Sequence, residues 1–270
     1  MKIFTAILSA VVVIAVLVVG HLYWGYKTDP SRFKPASREV KAVKAKAEPA
    51  AGKKHEANKT DKPASSLADY TKNWPKKARS DFKTALSKER AYKIAIVGSD
   101  AMGADTNGWG PQLKQALQDA YGSYVSVSLF AYHLNSDEFI REGKYKDVAN
   151  FKPDLILFEP FILINNGAVA MDNQLEDIKT AAAAWGDAVL VIQPSYPLYK
   201  AANYPAQVKE LESYAKKEGY TYLDHWKNWP DPDSDAFKSY VTFQNGEQTS
   251  PSKKGTTAWY DYLRKFFIAD

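Results

Sequence analysis

Tyr92-Lys93-Ile94-Ala95-Ile96-Val97-Gly98-Ser99-Asp100-Ala101-Met102-Gly103 is the stretch from which the rest of the chain can be read. Its first half is apolar and rich in β-branched residues. It is too short for a free-standing helix and has the length of a strand buried on both faces. Gly98-Ser99-Asp100 then forms a turn that runs through a polar loop toward a helical segment. In an open α/β sheet, ligands bind beyond the carboxyl ends of the strands, so a side chain at this point stands where a reacting group would. Ser99 holds that position. Taken alone, Gly-Ser-Asp is also what an ordinary strand-to-loop turn looks like, so the surrounding pattern has to decide.

Outward from this stretch, strand-like and helix-like segments alternate. Tyr124–Phe130, Asp154–Glu159, Ala188–Gln193 and Tyr220–Asp224 read as further strands. Between them, Leu113, Ala116, Leu117 and Ala120 share one helical face, Leu175, Ile178 and Ala182 a second, and Val208, Leu211 and Ala215 a third. Trp259, Leu263, Phe266 and Phe267 fall at i, i+4, i+7 and i+8 of a last helix. Residues 67–91, with Trp74-Pro75 and the Phe82/Leu86 spacing, lead into this region. Repeated strand–helix units predict an α/β fold: a three-layer α/β/α sandwich on a five-stranded parallel sheet, flavodoxin-like, with right-handed crossovers.

The amino-terminal side has a different character. Ile3–Tyr26 carries no charged residue, and about 20 apolar residues suffice to span a bilayer. His21-Leu22-Tyr23-Trp24 resembles an interfacial aromatic anchor, and no small-x-small cleavage site closes the run, so 1–26 is expected to be an uncleaved, single-pass signal-anchor. Residues 27–66 are rich in Lys, Ala, Pro, Ser and Glu and too poor in apolar side chains to offset their ordering entropy; a disordered linker is expected. The net charge of +5 sits here, since Lys27–Lys62 holds eleven Lys/Arg against five Asp/Glu and the remainder is at −1. A near-neutral domain argues against a nucleic-acid-binding face, while a basic tether suits anionic headgroups or wall polymer. The basic tail would by itself favour a cytoplasmic side, whereas the short Lys2-bearing start favours export. Export is the reading adopted, with the 67–270 domain on the extracellular side of the cell membrane.

Several chemistries are excluded. The chain has no cysteine, which removes disulfides, thiolate metal sites and cysteine nucleophiles. Its histidines, His21, His55, His133 and His225, make no metal-ligand spacing, and no P-loop or dinucleotide fingerprint occurs. No cofactor or metal is expected. Asp231-Pro232-Asp233-Ser234-Asp235 lacks the glycine and distal glutamate of a calcium loop and reads as a turn, with Asp233 or Ser234 capping a helix. The aromatics Trp74, Trp226, Trp229, Tyr196, Tyr199 and Tyr204 could stack on sugar rings, although packing is the commoner use.

Val97-Gly98-Ser99-Asp100-Ala101-Met102-Gly103 resembles the first block of SGNH/GDSL hydrolases, whose nucleophilic serine follows strand one. Gly98 stands where that family usually has Asp. Asn107-Gly108-Trp109-Gly110-Pro111-Gln112-Leu113 is similar to the Gly-Trp-x-x-x-Leu pattern opening the family's first helix. Pro153–Glu159 resembles the strand leading to the Gly-x-Asn-Asp block, which here reads Ile164-Asn165-Asn166-Gly167; the resemblance implies Asn166, or else Asn165, as an oxyanion donor. His133–Asp137 occupies the place of the second oxyanion block. Glu247-Gln248-Thr249-Ser250-Pro251-Ser252-Lys253-Lys254-Gly255 is similar to the final Asp-x-x-His-Pro-Asn-x-x-Gly block, but in degraded form. Ser250 replaces the base histidine and Glu247 the orienting aspartate.

A serine hydroxyl needs a base within hydrogen-bond reach, and one contributes roughly 10²–10⁴-fold. Serine at 250 cannot supply that. Three alternatives stand open: another histidine, His225 after strand five or His133 after strand two; Glu247 itself, given burial enough to raise its pKa; or loss of turnover with a binding cleft retained. The resemblance implies a serine esterase or acyl-transfer enzyme on acylated cell-envelope carbohydrate or lipid, using Ser99, Asn166, and Glu247 or His225. The alternative is an inactive domain that binds wall polymer or serves in envelope assembly. None of these patterns sets the oligomeric state.

Overall fold

The computed structural model describes residues 64–269. The expected anchor at 1–26 and nearly all of the expected linker at 27–66 lie outside the described residues. Among the described residues, no helix is long and apolar enough to cross a membrane.

After a single turn, α1 (Ala64–Leu67), the chain runs through α2 (Lys76–Ser87) into β1 (Tyr92–Ser99), α3 (Trp109–Tyr121) and β2 (Val125–Tyr132). Two short helices, α4 (Ser136–Arg141) and α5 (Tyr145–Phe151), precede β3 (Leu155–Phe158) and α6 (Ile162–Asn165). There follow α7 (Met171–Trp185), β4 (Val189–Ile192), α8 (Tyr204–Lys217) and β5 (Thr221–Tyr222). A hairpin, β6 (Val241–Gln244) and β7 (Glu247–Pro251), leads into α9 (Lys253–Phe267).

The five strands β1 to β5 form one parallel sheet in the order β2-β1-β3-β4-β5. Each expected strand is present, within a few residues of its expected limits. Because side chains alternate across a strand, the apolar runs feed two separate cores. Ile94, Ile96, Leu155, Leu157 and Val191 face α2, α3 and α9 on one side. Ala95, Val97, Ile156, Phe158 and Ile192 face α4, α5, α7 and α8 on the other. This is why β1 reads as an unbroken apolar run rather than as alternation.

Residues 265–269 are tied to the start of the domain. The Trp74 indole donates to Phe267 O at 3.0 Å, and the Tyr121 hydroxyl to the same oxygen at 2.6 Å. The Asn73 amide donates to Lys265 O at 2.8 Å, and the Ala269 N–H to Tyr70 O at 2.9 Å.

One element was not anticipated and one local expectation needs correction. The Glu247–Pro251 segment, given no secondary structure from sequence, is a strand of an exposed antiparallel hairpin with β6 opposite. The helix from Asp235 is a 3-10 helix without a side-chain cap; the turn is held instead by Asp231, whose carboxylate accepts from Asp233 N–H and whose carbonyl accepts from Ser234 Oγ. Trp74, Trp229, Tyr196 and Tyr204 are buried, so packing is their role.

Candidate active site

The strand order reverses between β1 and β3, because the chain crosses over β1 after completing β2. Such a switch point leaves a crevice at the carboxyl edge of the sheet. Ser99 ends β1 there. Glu159 follows β3 immediately, anchored by its N–H to Val97 O at 2.8 Å. The Ser99 hydroxyl donates to Glu159 Oε2 at 2.8 Å, and the Ser99 backbone N–H donates to the same oxygen at 2.7 Å. The Ala101 N–H reaches Ser99 Oγ at 3.3 Å and begins the short 3-10 turn that follows.

The pair is sealed: Ser99 is 3% exposed and Glu159 0%. Burial pushes the Glu159 carboxyl up to about 7, since a charge is costly where water is absent. The Ser99 N–H and hydroxyl, with the nearby Ser195 hydroxyl, oppose that rise, and the Asp100 carboxylate adds to it. Ser195 Oγ and Glu159 Oε1 are both buried without a hydrogen bond of ordinary geometry. Gly98 makes the arrangement possible. A Cβ there would lie 2.7 Å from Glu159 Oε2 and 3.0 Å from Glu159 Cβ. The glycine found where the family usually has Asp is therefore what lets a glutamate lie against the end of β1.

The other expected site residues are elsewhere. His225 cannot be the base, which is a correction to the expectation from sequence. It is wholly buried, with Nε2 on Pro194 O at 3.0 Å and Nδ1 accepting from the Trp229 indole at 3.1 Å. Its ring lies flat on Trp259, 4.2 Å between centroids. Burial drives its pKa down to about 3, only partly opposed by the backbone carbonyls, so the ring stays neutral with both nitrogens occupied. Glu247 lies exposed on the hairpin, without the burial that would make it a base. Ser250 is exposed too, its hydroxyl 2.6 Å from Thr242 Oγ1 across the hairpin. Asn166 is exposed just beyond α6, whereas Ser99 is buried at the end of β1. Asn165 is the buried member of that pair, but its amide serves Ser136: Oδ1 accepts from the N–H at 2.8 Å and Nδ2 donates to Oγ at 3.0 Å. Ser136 in turn donates to Asp177 at 2.6 Å, so Asn165 ties α6 to α4 and Ser136 ties α4 to α7.

Glu159 was not singled out from sequence. The available signal was a carboxylate ending an otherwise apolar, strand-like run. A charged residue is almost never fully buried without a partner.

Among solved structures, the chain is similar to a putative lipolytic protein of the G-D-S-L family from Desulfitobacterium hafniense, with 18% identity, a TM-score of 0.51, and 64% of this chain and 98% of that one covered. It is also similar to a catalytic mutant of an acetylxylan esterase from Geobacillus stearothermophilus, at 12% identity, TM-score 0.51 and coverage of 65% and 94%. A lipase/acylhydrolase from Enterococcus faecalis aligns at 14% identity, TM-score 0.51 and coverage of 64% and 94%. At such identities the likeness is one of fold, and the fold is that of SGNH/GDSL hydrolases. No protein-family model matches the chain, and no curated protein does.

Proposed function

We propose that the domain is a serine ester hydrolase or acyl-transfer enzyme in which Ser99 is the nucleophile and Glu159 stands in for the missing imidazole. What carries this reading is the 2.8 Å hydrogen bond from Ser99 Oγ to a carboxyl poised at about 7. A base works best with a pKa near the working pH, and burial has brought a glutamate there. As Oγ attacks the ester carbonyl, its proton passes to Glu159 Oε2. The nearest donors for the oxyanion are the N–H groups of Ser99 and Ala101, now held by Glu159 and by Ser99 Oγ. Protonation neutralises the carboxylate and weakens its hold on the Ser99 N–H, which frees that donor when it is needed. Collapse gives an acyl-serine and an alcohol, and water or a second hydroxyl then accepts the acyl group.

The substrate class and location belong to the same proposal. The uncharged run Ile3–Tyr26 supports a single-pass tether, and the short Lys2-bearing start supports the extracellular side, against the pull of the basic linker. An acylated envelope polysaccharide or lipid suits that place, and one of the proteins sharing the fold is described as an acetylxylan esterase.

A second reading has its own support. Ser99 is nearly sealed and its N–H is already occupied by a carboxylate oxygen, as in a domain that keeps the scaffold for binding wall polymer or for envelope assembly without turnover. A fluorophosphonate probe on the full chain separates the two. Under the first reading the wild type is labelled, Ser99→Ala is not, and Glu159→Gln hydrolyses an acetyl ester roughly 10²–10⁴-fold more slowly. Absence of labelling on the wild type would leave the non-catalytic reading.

A further inference from the structure

Glu159 leaves one proton transfer without a carrier. It is fully buried on the β3 side of Ser99, whereas the alcohol leaving from a polymer-bound ester must depart toward solvent. A second acid, on the open side, is required if a poorly leaving alkoxide is to go.

The strand on the other flank supplies one. β1 and β2 run in register with Ser99 opposite Tyr132, so the next residues on each strand, Asp100 and His133, meet at the sheet edge. The Asp100 carboxylate is hydrogen-bonded to His133 Nδ1. That contact holds Nδ1 and directs Nε2 away from Asp100, where no group among the described residues engages it. The side chains are 90% and 61% exposed, so an arriving substrate can reach the ring. Asp100 also lies close enough to Glu159 for its charge to act on that carboxyl, which places both carboxylates in one electrostatic neighbourhood.

We infer that His133, oriented by Asp100, is the general acid that protonates the departing alcohol of an ester attacked by Ser99. The inference rests on the reading of Ser99 as nucleophile. Ser99 ends β1, which lies between β2 and β3, with a buried proton acceptor after one neighbour and an exposed proton donor after the other. In acylation, Glu159 takes the Ser99 proton as Oγ bonds to the carbonyl carbon. His133, entering the step as the imidazolium with Nδ1–H on Asp100, gives its Nε2 proton to the alkoxide oxygen as the carbon–oxygen bond breaks. In deacylation, water bonds to the acyl carbon while its proton goes to the now neutral His133. Glu159 returns its proton to Oγ as the acyl–Oγ bond breaks. Both side chains end as they began, and the sum is ester plus water to acid plus alcohol.

The test compares kcat/KM, which reports acylation, for ethyl acetate and for p-nitrophenyl acetate on the full chain. The p-nitrophenolate leaves without a proton and the ethoxide does not. In His133→Ala the ratio of the ethyl to the p-nitrophenyl value should fall roughly 10²-fold, and Asp100→Asn should move it in the same direction by less. A purely structural histidine would lower both values together. An unchanged ratio in His133→Ala, in a protein whose hydrolysis still depends on Ser99, overturns the inference alone. Hydrolysis that survives Ser99→Ala, or a wild type without any, overturns the nucleophile assignment and this inference with it.

Discussion

Glu159 and His225 are both sealed from water, and burial moves their protons in opposite directions. Glu159 rises to about 7 from 4.5, and His225 falls to about 3 from 6.5. Between pH 4.5 and 6.5 the folded glutamic acid keeps a proton that the unfolded chain has lost, so its contribution to stability falls as pH rises. Over the same window the folded histidine stays neutral while the unfolded one binds a proton, so its contribution rises with pH. Each slope is about 1.4 kcal/mol per pH unit, and the two oppose. Stability measured by urea unfolding should therefore vary little across this window. Glu159→Gln should uncover the histidine slope, with stability climbing from pH 4.5 to 6.5; a profile still flat in that variant would place the Glu159 proton elsewhere. The same two residues mark how far the sequence could be read at this scale. Ser99 was legible because the end of a short unbroken apolar run marks a strand end. The partner of Ser99 was not, because lateral pairing of β1 with β3 is a property of topology. His225 misled for the same reason: its position after β5 is visible in the sequence, but the Trp229 and Trp259 rings that enclose it are not.

At the scale of elements, unbroken apolar runs located the five sheet strands and the 3.6 period located α2, α3, α7, α8 and α9, while the short helices α4 and α5 were not anticipated. The hairpin β6–β7 was missed. Apart from Val241 it is not buried: β7 (Glu247–Pro251) is polar up to its last residue, and the alternation Val241-Thr242-Phe243-Gln244 in β6 is only four residues long, too short to announce a strand. What holds it is contact with the helix behind. Gly255, in the first turn of α9, lets the helix pass against the residue before β6: an added Cβ would lie 2.1 Å from Tyr240 O and 2.7 Å from the Trp229 ring. Backbone cannot yield as a flexible side chain does, so Gly255→Ala should cost about 1–3 kcal/mol. For a domain of this size that lowers the melting temperature by about 2–4 °C per kcal/mol. A variant melting within a degree of wild type would show that the hairpin shifts freely against α9.

For the whole molecule, the alternation of strand-like and helix-like segments predicted an α/β fold on a five-stranded parallel sheet, and the described residues have it. The proposed tether is tested in cells. The full chain should sediment with membranes and resist alkaline carbonate, and protease added outside should cut within 27–66 and release the domain. Recovery in the soluble fraction would count against an anchor, and protection from external protease against the outward orientation. The fastening of residues 265–269 onto Tyr70, Asn73 and Trp74 has a consequence for how the protein is made. The Trp74 indole and the Phe267 carbonyl that receives it are 193 residues apart. At about 5–20 residues per second, the ribosome delivers the second group some 10–40 s after the first. Throughout that interval Trp74 has no native acceptor, and the side of the sheet destined for α9 stays uncovered. A chaperone that engages nascent chains would find its opening there, and a ribosome stalled before codon 265 should display a chain that a protease still digests.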